Sequence, residues 1–135
     1  MSPEKNGSDR SPTAQTLFYD TYALYAIAVG QKNYLQFSYH HHIITSIMNL
    51  YELYYSLLRD GKRELADAFV LRLLGCCQPI TPEVIKKSSY FRILHIKKEL
   101  SYIDCLGYLM ALELHIPFLT GDSGFRGMAH TVFLR

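Results

Sequence analysis

The sequence contains 135 residues, 49% of them hydrophobic, and carries a formal net charge of +2. This length and apolar content suit one compact domain, and so mild a positive charge does not by itself indicate a nucleic-acid-binding protein. The absence of a run of about 18 apolar residues argues against a transmembrane helix. The N-terminus has no hydrophobic signal core, and the three cysteines, two of them adjacent at Cys76-Cys77, follow no metal-binding or disulfide spacing. We therefore expect a cytoplasmic protein without a membrane partner.

Short apolar segments alternate with helical segments along the chain. Residues 1–16 are polar and predict a flexible tail, whereas residues 17–135 predict a single folded domain. Residues 31–39 are compatible with either a helix or a loop. Strands that alternate with helices predict an α/β fold, with a parallel sheet covered by helices on both faces. The predicted strands are 17–19, 43–45, 78–80, 117–120 and 131–134, and the predicted helices are 22–29, 46–60, 62–74, 82–98 and 101–114. Ser46 and Ser101 are expected caps, and Thr81-Pro82-Glu83 marks the start of the fourth helix.

Four acidic residues have related positions in these predicted elements. Asp20 and Asp122 follow predicted strands, and Asp104 and Glu52 lie in the first two turns of predicted helices. In a parallel sheet, strands end and helices begin along the same edge, and ligand sites gather at that edge. We therefore expect the four carboxyl groups to lie close together.

Each of these acids also has a local interpretation. Asp20 can cap the following helix, Asp104 can form a capping box with Ser101, and Asp122 can form a turn. For Glu52 the alternative is an exposed edge of its helix. Glu52 lies too far inside that helix to cap it, and no Lys or Arg stands three or four residues away. It is therefore the strongest single indication of a functional site.

Four carboxylates in one partly buried pocket would repel each other strongly. Either their pKa values rise or a divalent cation neutralises them. A site made only of oxygen ligands, without Cys or His, favours Mg²⁺ or Mn²⁺ over zinc. A carboxylate-held Mg²⁺ is suited to hydrolysis of phosphodiester bonds.

Four segments, in this order and spacing, resemble the PIN domain family over roughly residues 17–134. The segments are Tyr19-Asp20-Thr21, Leu50-Tyr51-Glu52-Leu53, Tyr102-Ile103-Asp104, and Phe118-Leu119-Thr120-Gly121-Asp122 before Phe125. The resemblance implies a three-layer fold, with a five-stranded parallel sheet of order 3-2-1-4-5. It also implies Mg²⁺- or Mn²⁺-dependent endoribonuclease activity, as in the VapC-type toxins of toxin–antitoxin pairs, and hence an antitoxin protein as a partner.

The same resemblance implies a set of site residues. Asp20, Glu52, Asp104 and Asp122 would form the acidic metal site, and Thr21 and Thr120 would supply hydroxyl groups that orient it. One departure concerns Ser123-Gly124, where some family members have a further acid. This difference bears on the binding of a second metal ion.

The only concentration of basic residues lies in residues 84–98 of the predicted fourth helix, and Tyr90 and Phe91 are interleaved with these basic residues. Most such runs form a solvated helix face, but this one leads directly to Ser101 and Asp104. We expect it to guide the RNA backbone toward the acidic pocket. The predicted helices 22–29 and 46–60 carry more aromatic and apolar residues than one small core needs. This excess predicts a homodimer that buries some of this surface. The residues predicted to contact RNA are Lys86, Lys87, Arg92, Lys97 and Lys98.

Three other functions were compared with the metal-dependent nuclease. A haloacid-dehalogenase-like phosphatase would need a second Asp two residues after Asp20, where this chain has Tyr22. A non-catalytic PIN-like interaction module would keep the fold without the chemistry, and the presence of all four acids argues against it. A stand-alone RNA-processing nuclease would keep the chemistry without an antitoxin.

Overall fold

The computed structural model describes residues 15–39 and 41–135. The predicted flexible tail lies outside the described residues except for Gln15 and Thr16, which belong to the first strand. The strands are β1 (Gln15–Tyr19), β2 (His41–Ile44), β3 (Phe118–Thr120) and β4 (Thr131–Phe133). The α-helices are α1 (Thr21–Ala28), α2 (Leu35–Tyr39), α3 (Ile47–Arg59), α4 (Arg63–Leu73), α5 (Pro82–Leu94) and α6 (Tyr102–Leu114).

The four strands form one parallel sheet of order β2-β1-β3-β4. β1 lies inside the sheet and pairs with β2 on one side and with β3 on the other, with Phe18 opposite Phe118. The predicted α/β class is confirmed, and so is the parallel arrangement. Because all strands point the same way, the ends of β1 and β3 and the starts of α1 and α3 lie along one edge.

The predicted third strand, residues 78–80, is not formed. Among the described residues its place is taken by a single parallel bridge between Thr45 and Cys77. The Thr45 N–H donates to the Cys76 carbonyl, and the Gln78 N–H donates to the Thr45 carbonyl. The ladder ends there because the chain after Ser46 leaves the extended conformation: Ser46 is the N-cap of α3, which begins at Ile47. The sheet therefore has four strands, and the predicted order 3-2-1-4-5 holds for the four that remain.

Hydrophobic cores lie on both faces of the sheet. Along β1, Leu17 and Tyr19 belong to one core and Phe18 to the other, and all three are fully buried. This alternation follows from the two-residue repeat of a strand, and both faces are apolar because both are covered. The first core contains residues of α1 to α4, and the second contains residues of α5 and α6. The fold is therefore three-layered, as predicted.

The predicted helix starts are confirmed where a side chain caps the helix. The Ser46 hydroxyl accepts from the Asn49 N–H, and the Thr81 hydroxyl accepts from the Val84 N–H. Such caps satisfy backbone donors that have no partner inside the helix. None of the helices formed by the described residues has the length and hydropathy needed to span a membrane.

Candidate metal centre

Asp20 is the buried centre of the candidate site. It directly follows β1 and stands at the N-cap position of α1, but its side chain makes no capping hydrogen bond. Only 1% of its surface is exposed. One carboxylate oxygen, Oδ2, accepts from the Thr120 hydroxyl at 2.6 Å, whereas Oδ1 has no hydrogen-bond partner. Burial, and next the nearby Asp104 carboxylate, hold the pKa of Asp20 well above its usual range, although the Thr120 hydroxyl opposes this shift.

Thr120 links Asp20 to Asp122. Its hydroxyl donates to Asp20 and at the same time accepts from the Asp122 N–H at 3.1 Å. The Asp122 carboxylate accepts from the Gly124 N–H at 2.9 Å and so caps the short 3₁₀ turn Ser123–Phe125. The predicted turn-forming role of Asp122 is therefore confirmed. Asp122 also faces the site, because its charge contributes to the raised pKa of Asp20.

Asp104 forms the predicted capping box at the start of α6. Its Oδ2 accepts from the Ser101 N–H at 2.8 Å, and its own N–H donates to the Ser101 hydroxyl at 3.0 Å. Burial raises the pKa of Asp104 to about 6, and the charges of Asp122 and Glu52 act in the same direction, while the bonds with Ser101 oppose the shift. Asp104 therefore caps its helix and also lies within electrostatic range of Asp122 and Glu52.

Glu52 lies on α3 and is half-buried. Its charge adds to the raised pKa of Asp104, so the two carboxyl groups lie within electrostatic range of each other. Among residues 15–39 and 41–135, no basic side chain forms a salt bridge with Glu52. The structure thus brings Asp20, Asp104 and Asp122 within electrostatic range of each other, and Glu52 within range of Asp104.

The sequence of residues 17–130 matches the profile of the PIN domain. The chain belongs to the PIN domain family. This match covers most of the chain and confirms the resemblance that the four acidic segments carry. The chain has no significant match among curated proteins.

A solved toxin and two solved toxin–antitoxin complexes share the fold of this chain. VapC20 of Mycobacterium tuberculosis, a toxin that cleaves the sarcin–ricin loop, aligns with a TM-score of 0.73 at 19% identity over 88% of this chain and 98% of its own. A toxin–antitoxin complex of Klebsiella pneumoniae aligns with a TM-score of 0.66 at 15% identity, over 86% of this chain and 95% of the matched chain of the complex. VapBC2 of Rickettsia felis, bound to a DNA fragment of its promoter, aligns with a TM-score of 0.65 at 16% identity. The alignment covers 88% of this chain and 97% of the VapBC2 chain. At such identities the likeness is one of fold.

A buried chain of hydrogen bonds leads to Thr21, the residue after Asp20. The sequence did not indicate this chain. The Ser46 hydroxyl donates to Asn49 Oδ1 at 2.6 Å, and Asn49 Nδ2 donates to the Thr21 hydroxyl oxygen at 3.0 Å. Ser46 and Asn49 are fully buried. The Thr21 hydroxyl, predicted to orient the site, is therefore fixed from α3. The available signal was Asn49, an amide three residues before Glu52 in a helix that is apolar on most faces.

The predicted RNA-contacting residues of the PIN domain do not form one patch. Lys87 pairs with Glu113 at 2.6 Å, and Glu113 lies about 13 Å along α6 from Asp104, at 1.5 Å per residue. Arg92 lies at the other end of α5, where its Nε donates to the Leu100 carbonyl beside Ser101. Lys86, Lys97 and Lys98 are exposed. Arg92, Lys97 and Lys98 thus lie next to the start of α6, whereas Lys86 and Lys87 lie toward its far end.

The acidic residues of this PIN domain offer the oxygen ligands that a divalent cation needs, but they are not already arranged around one position. Among residues 15–39 and 41–135, no three His, Cys, Asp or Glu side chains are grouped as closely as an ion would require. However, a buried carboxylate oxygen without a partner is costly, and Oδ1 of Asp20 is such an atom. A cation would satisfy that oxygen and would remove the repulsion among the three aspartates. Hard oxygen donors of this kind suit Mg²⁺ or Mn²⁺.

The metal-free protein is expected to become less stable as the pH rises through the acid range. Because the folded-state pKa of Asp104 is about 6, against an ordinary value of 3.8, the folded state binds more protons than the unfolded state between these values. The free energy of unfolding should therefore fall as the pH rises through this window and level off above it. For Asp104 alone, the fall is at most about 3 kcal/mol, and the raised pKa of Asp20 acts in the same direction.

Urea unfolding in EDTA between pH 4 and 8 measures this dependence. Asp104→Asn keeps an acceptor for the Ser101 N–H but cannot ionise, so this variant should show a smaller slope than the wild type. Equal slopes for the two proteins would contradict the assignment of the raised pKa to Asp104.

Proposed function

We propose that this PIN domain is a Mg²⁺- or Mn²⁺-dependent endoribonuclease. The observation that carries the proposal is the fully buried Asp20 carboxylate, which has one oxygen without a partner and has Asp104 and Asp122 beside it. A protein gains nothing in stability from such a cluster, because like charges in a buried site oppose folding. Functional sites are where such costs are found.

The protein residues have separate tasks in this proposal. Asp20, Asp104 and Asp122 would hold the cation, together with Glu52. The Thr120 hydroxyl, which donates to Asp20 and accepts from the Asp122 N–H, holds two of these acids in a fixed relation. Thr21 directly follows Asp20, and its hydroxyl oxygen accepts from Asn49 Nδ2. When bound, the divalent cation would neutralise the phosphate and activate water for hydrolysis.

We further infer that the chain acts as the toxin of a toxin–antitoxin pair, with an antitoxin protein as partner and a homodimer as its assembly. The similarity in fold to a VapC toxin and to two toxin–antitoxin complexes supports the toxin and antitoxin parts of this inference. The homodimer is supported by the exposed apolar and aromatic side chains of Ile47, Tyr51 and Tyr55 on α3. Expression of the chain should arrest growth, and co-expression of the product of a small neighbouring gene should restore it. Cleavage of RNA without growth arrest would instead favour the stand-alone processing nuclease.

Two observations favour a second candidate function, a non-catalytic PIN-like interaction module. The acids of the described residues do not stand as a closed metal cluster, and Ser123-Gly124 replaces the further acid found in some relatives. Titration with Mn²⁺, followed by thermal unfolding, separates the two functions. The nuclease should be stabilised at low ion concentration, whereas the module should not respond.

Cleavage of total RNA, with and without Mn²⁺ and mapped by end sequencing, tests the proposed activity. The nuclease should produce discrete new 5′ ends that depend on the metal and disappear in EDTA. A purified protein that leaves the RNA intact at every metal concentration would contradict the proposal.

Contacts of Lys97 and Lys98 with the RNA backbone give a further expectation. Both side chains are exposed in the 3₁₀ turn Ile96–Lys98 that precedes α6. The Lys97→Ala/Lys98→Ala variant should bind single-stranded RNA more weakly, and the slope of log K against log salt should fall by about 0.7 per lost phosphate contact. Lys32→Ala/Lys62→Ala removes the same charge from exposed positions elsewhere and should keep the slope. If both double variants have the wild-type slope, the predicted contact of Lys97 and Lys98 with RNA is wrong.

Lys86 and Lys87 remain predicted RNA contacts. They are the weaker candidates, because they lie farther from the acidic site.

A further inference from the structure

An exposed tyrosine is held in place by an arginine at the start of α6. Tyr102 is the first residue of this helix, and 76% of its surface is exposed. The guanidinium carbon of Arg92 lies 4.0 Å from the centre of the Tyr102 ring. Arg92 is itself fixed, because its Nε donates to the Leu100 carbonyl at 3.0 Å. We call this pair the Arg92–Tyr102 stack.

A single exposed aromatic residue is ordinary on a protein surface and indicates no site. The Arg92–Tyr102 stack differs because the cation covers one ring face and is anchored to the backbone, while most of the ring remains in solvent. The ring is thereby held as a flat platform with a positive charge beneath it. A free tyrosine would instead lose rotamer freedom on binding a ligand.

The stack lies beside the candidate metal centre. Tyr102 and Asp104 leave the first turn of α6 in different directions, but the Asp104 carboxylate turns back onto the Ser101 N–H at the helix end. The two groups therefore flank the same helix terminus. Arg92 bonds the Leu100 carbonyl, one residue before Ser101, so the stack and the Asp104 carboxylate are both anchored at the start of α6.

We propose that the Arg92–Tyr102 stack is a subsite for one unstacked nucleobase of an RNA strand that enters the acidic site. Aromatic rings bind single-stranded bases by stacking, with little dependence on base identity, and arginine adds a contact to the π system or to a phosphate. The neighbouring exposed Lys97 and Lys98 supply further positive charge for a polyanion. The subsite rests on the proposed function, and it positions the strand rather than reading its sequence.

Binding of a fluorescein-labelled single-stranded RNA of about 12 nucleotides, a length within known single-strand site sizes, tests the subsite. The assay is run in EDTA, so that metal-dependent cleavage does not occur. Tyr102→Ala should weaken binding about 10-fold, while Tyr102→Phe and Tyr102→Trp should bind as the wild type does. Tyr90→Ala is the matched control, because Tyr90 is 72% exposed on the adjacent α5, and it should have no effect. Wild-type affinity for Tyr102→Ala would overturn the proposal.

A second comparison identifies the ring's partner as a base. An abasic nucleotide is placed at each position of the RNA in turn. At one position, wild type and Tyr102→Ala should bind the abasic RNA equally, because the stacking contact is already lost. A 10-fold difference that persists at every position would overturn the subsite. Arg92→Gln should also weaken binding and lower the salt slope if the guanidinium contacts a phosphate.

Two further outcomes are separated by the same variants. If Tyr102→Ala leaves RNA binding unchanged but lowers the molecular mass measured by light scattering, the ring belongs to a contact between copies of this chain, and the subsite is wrong. If the wild type binds RNA with the expected Tyr102 dependence but does not cleave it with Mn²⁺, the nuclease proposal fails while the subsite stands. Tyr102→Phe, which keeps the ring, shows whether any loss comes from misfolding.

Discussion

Asp20→Asn is expected to reduce RNA cleavage by about 10²-fold or more, because it removes a charged ligand from the proposed metal site. The metal-free variant should nevertheless be at least as stable as the metal-free wild type. The introduced amide can still accept from the Thr120 hydroxyl, and its N–H groups can donate toward the acids that repel the Asp20 carboxylate in the wild type. The change thus removes a buried charge without leaving Thr120 unpaired.

Added Mn²⁺ should separate the two proteins further. A ligand that binds only the folded state stabilises it by mass action, about 2.7 kcal/mol at one hundred times the dissociation constant. The wild type should show this increase in thermal unfolding, and Asp20→Asn should show little of it. Circular dichroism of the two proteins should be the same.

Asp67→Asn is the matched control for this comparison. It makes the same chemical change on α4, at an exposed carboxyl group. We expect this variant to keep both the Mn²⁺ response and cleavage. The convergent site would be refuted if Asp20→Asn also kept both, because the Asp20 carboxylate would then not be needed to bind the metal ion. Asp20 would then be no more than a residue at the start of α1.

Gly121→Ala is expected to destabilise the protein by about 3 kcal/mol, through overpacking beside the site. A methyl group at this position would overlap the Tyr22 ring and lie 2.5 Å from the Leu134 carbonyl oxygen. That carbonyl cannot shift freely, because the Leu134 N–H donates to the Thr120 carbonyl at 2.9 Å and the Leu134 carbonyl oxygen accepts from the Tyr34 hydroxyl. Since Gly121 stands between Thr120 and Asp122, the strain should also weaken the Mn²⁺ response.

Gly75→Ala serves as the control for the loss of glycine flexibility. No heavy atom lies within 4 Å of a methyl group added at Gly75, so its stability should stay within about 0.5 kcal/mol of the wild type. Urea unfolding of both variants measures the difference. Equal midpoints for Gly121→Ala and Gly75→Ala would show that the contacts of Tyr22 and Leu134 do not restrict this position.

The sequence by itself determined the features that depend on neighbouring residues. The Ser46 and Thr81 caps and the Ser101–Asp104 capping box each join residues three apart, so the local sequence alone indicates them. Apolar segments of strand length between helices predicted the parallel α/β class in the same way. The four acidic segments also led to the PIN family, which the match over residues 17–130 confirms.

Tertiary structure alone decided which distant side chains meet. The Thr120 hydroxyl bonds Asp20 across 100 residues of sequence, and Asn49 bonds Thr21 across 28. No spacing rule predicts such pairs, because they depend on how the sheet and α3 pack. The sequence likewise did not show that this ladder stops after one bridge, or that Arg92 lies against the Tyr102 ring. The unpartnered oxygen of Asp20 exists only in the folded chain, because burial in the core removes the water that would otherwise solvate it.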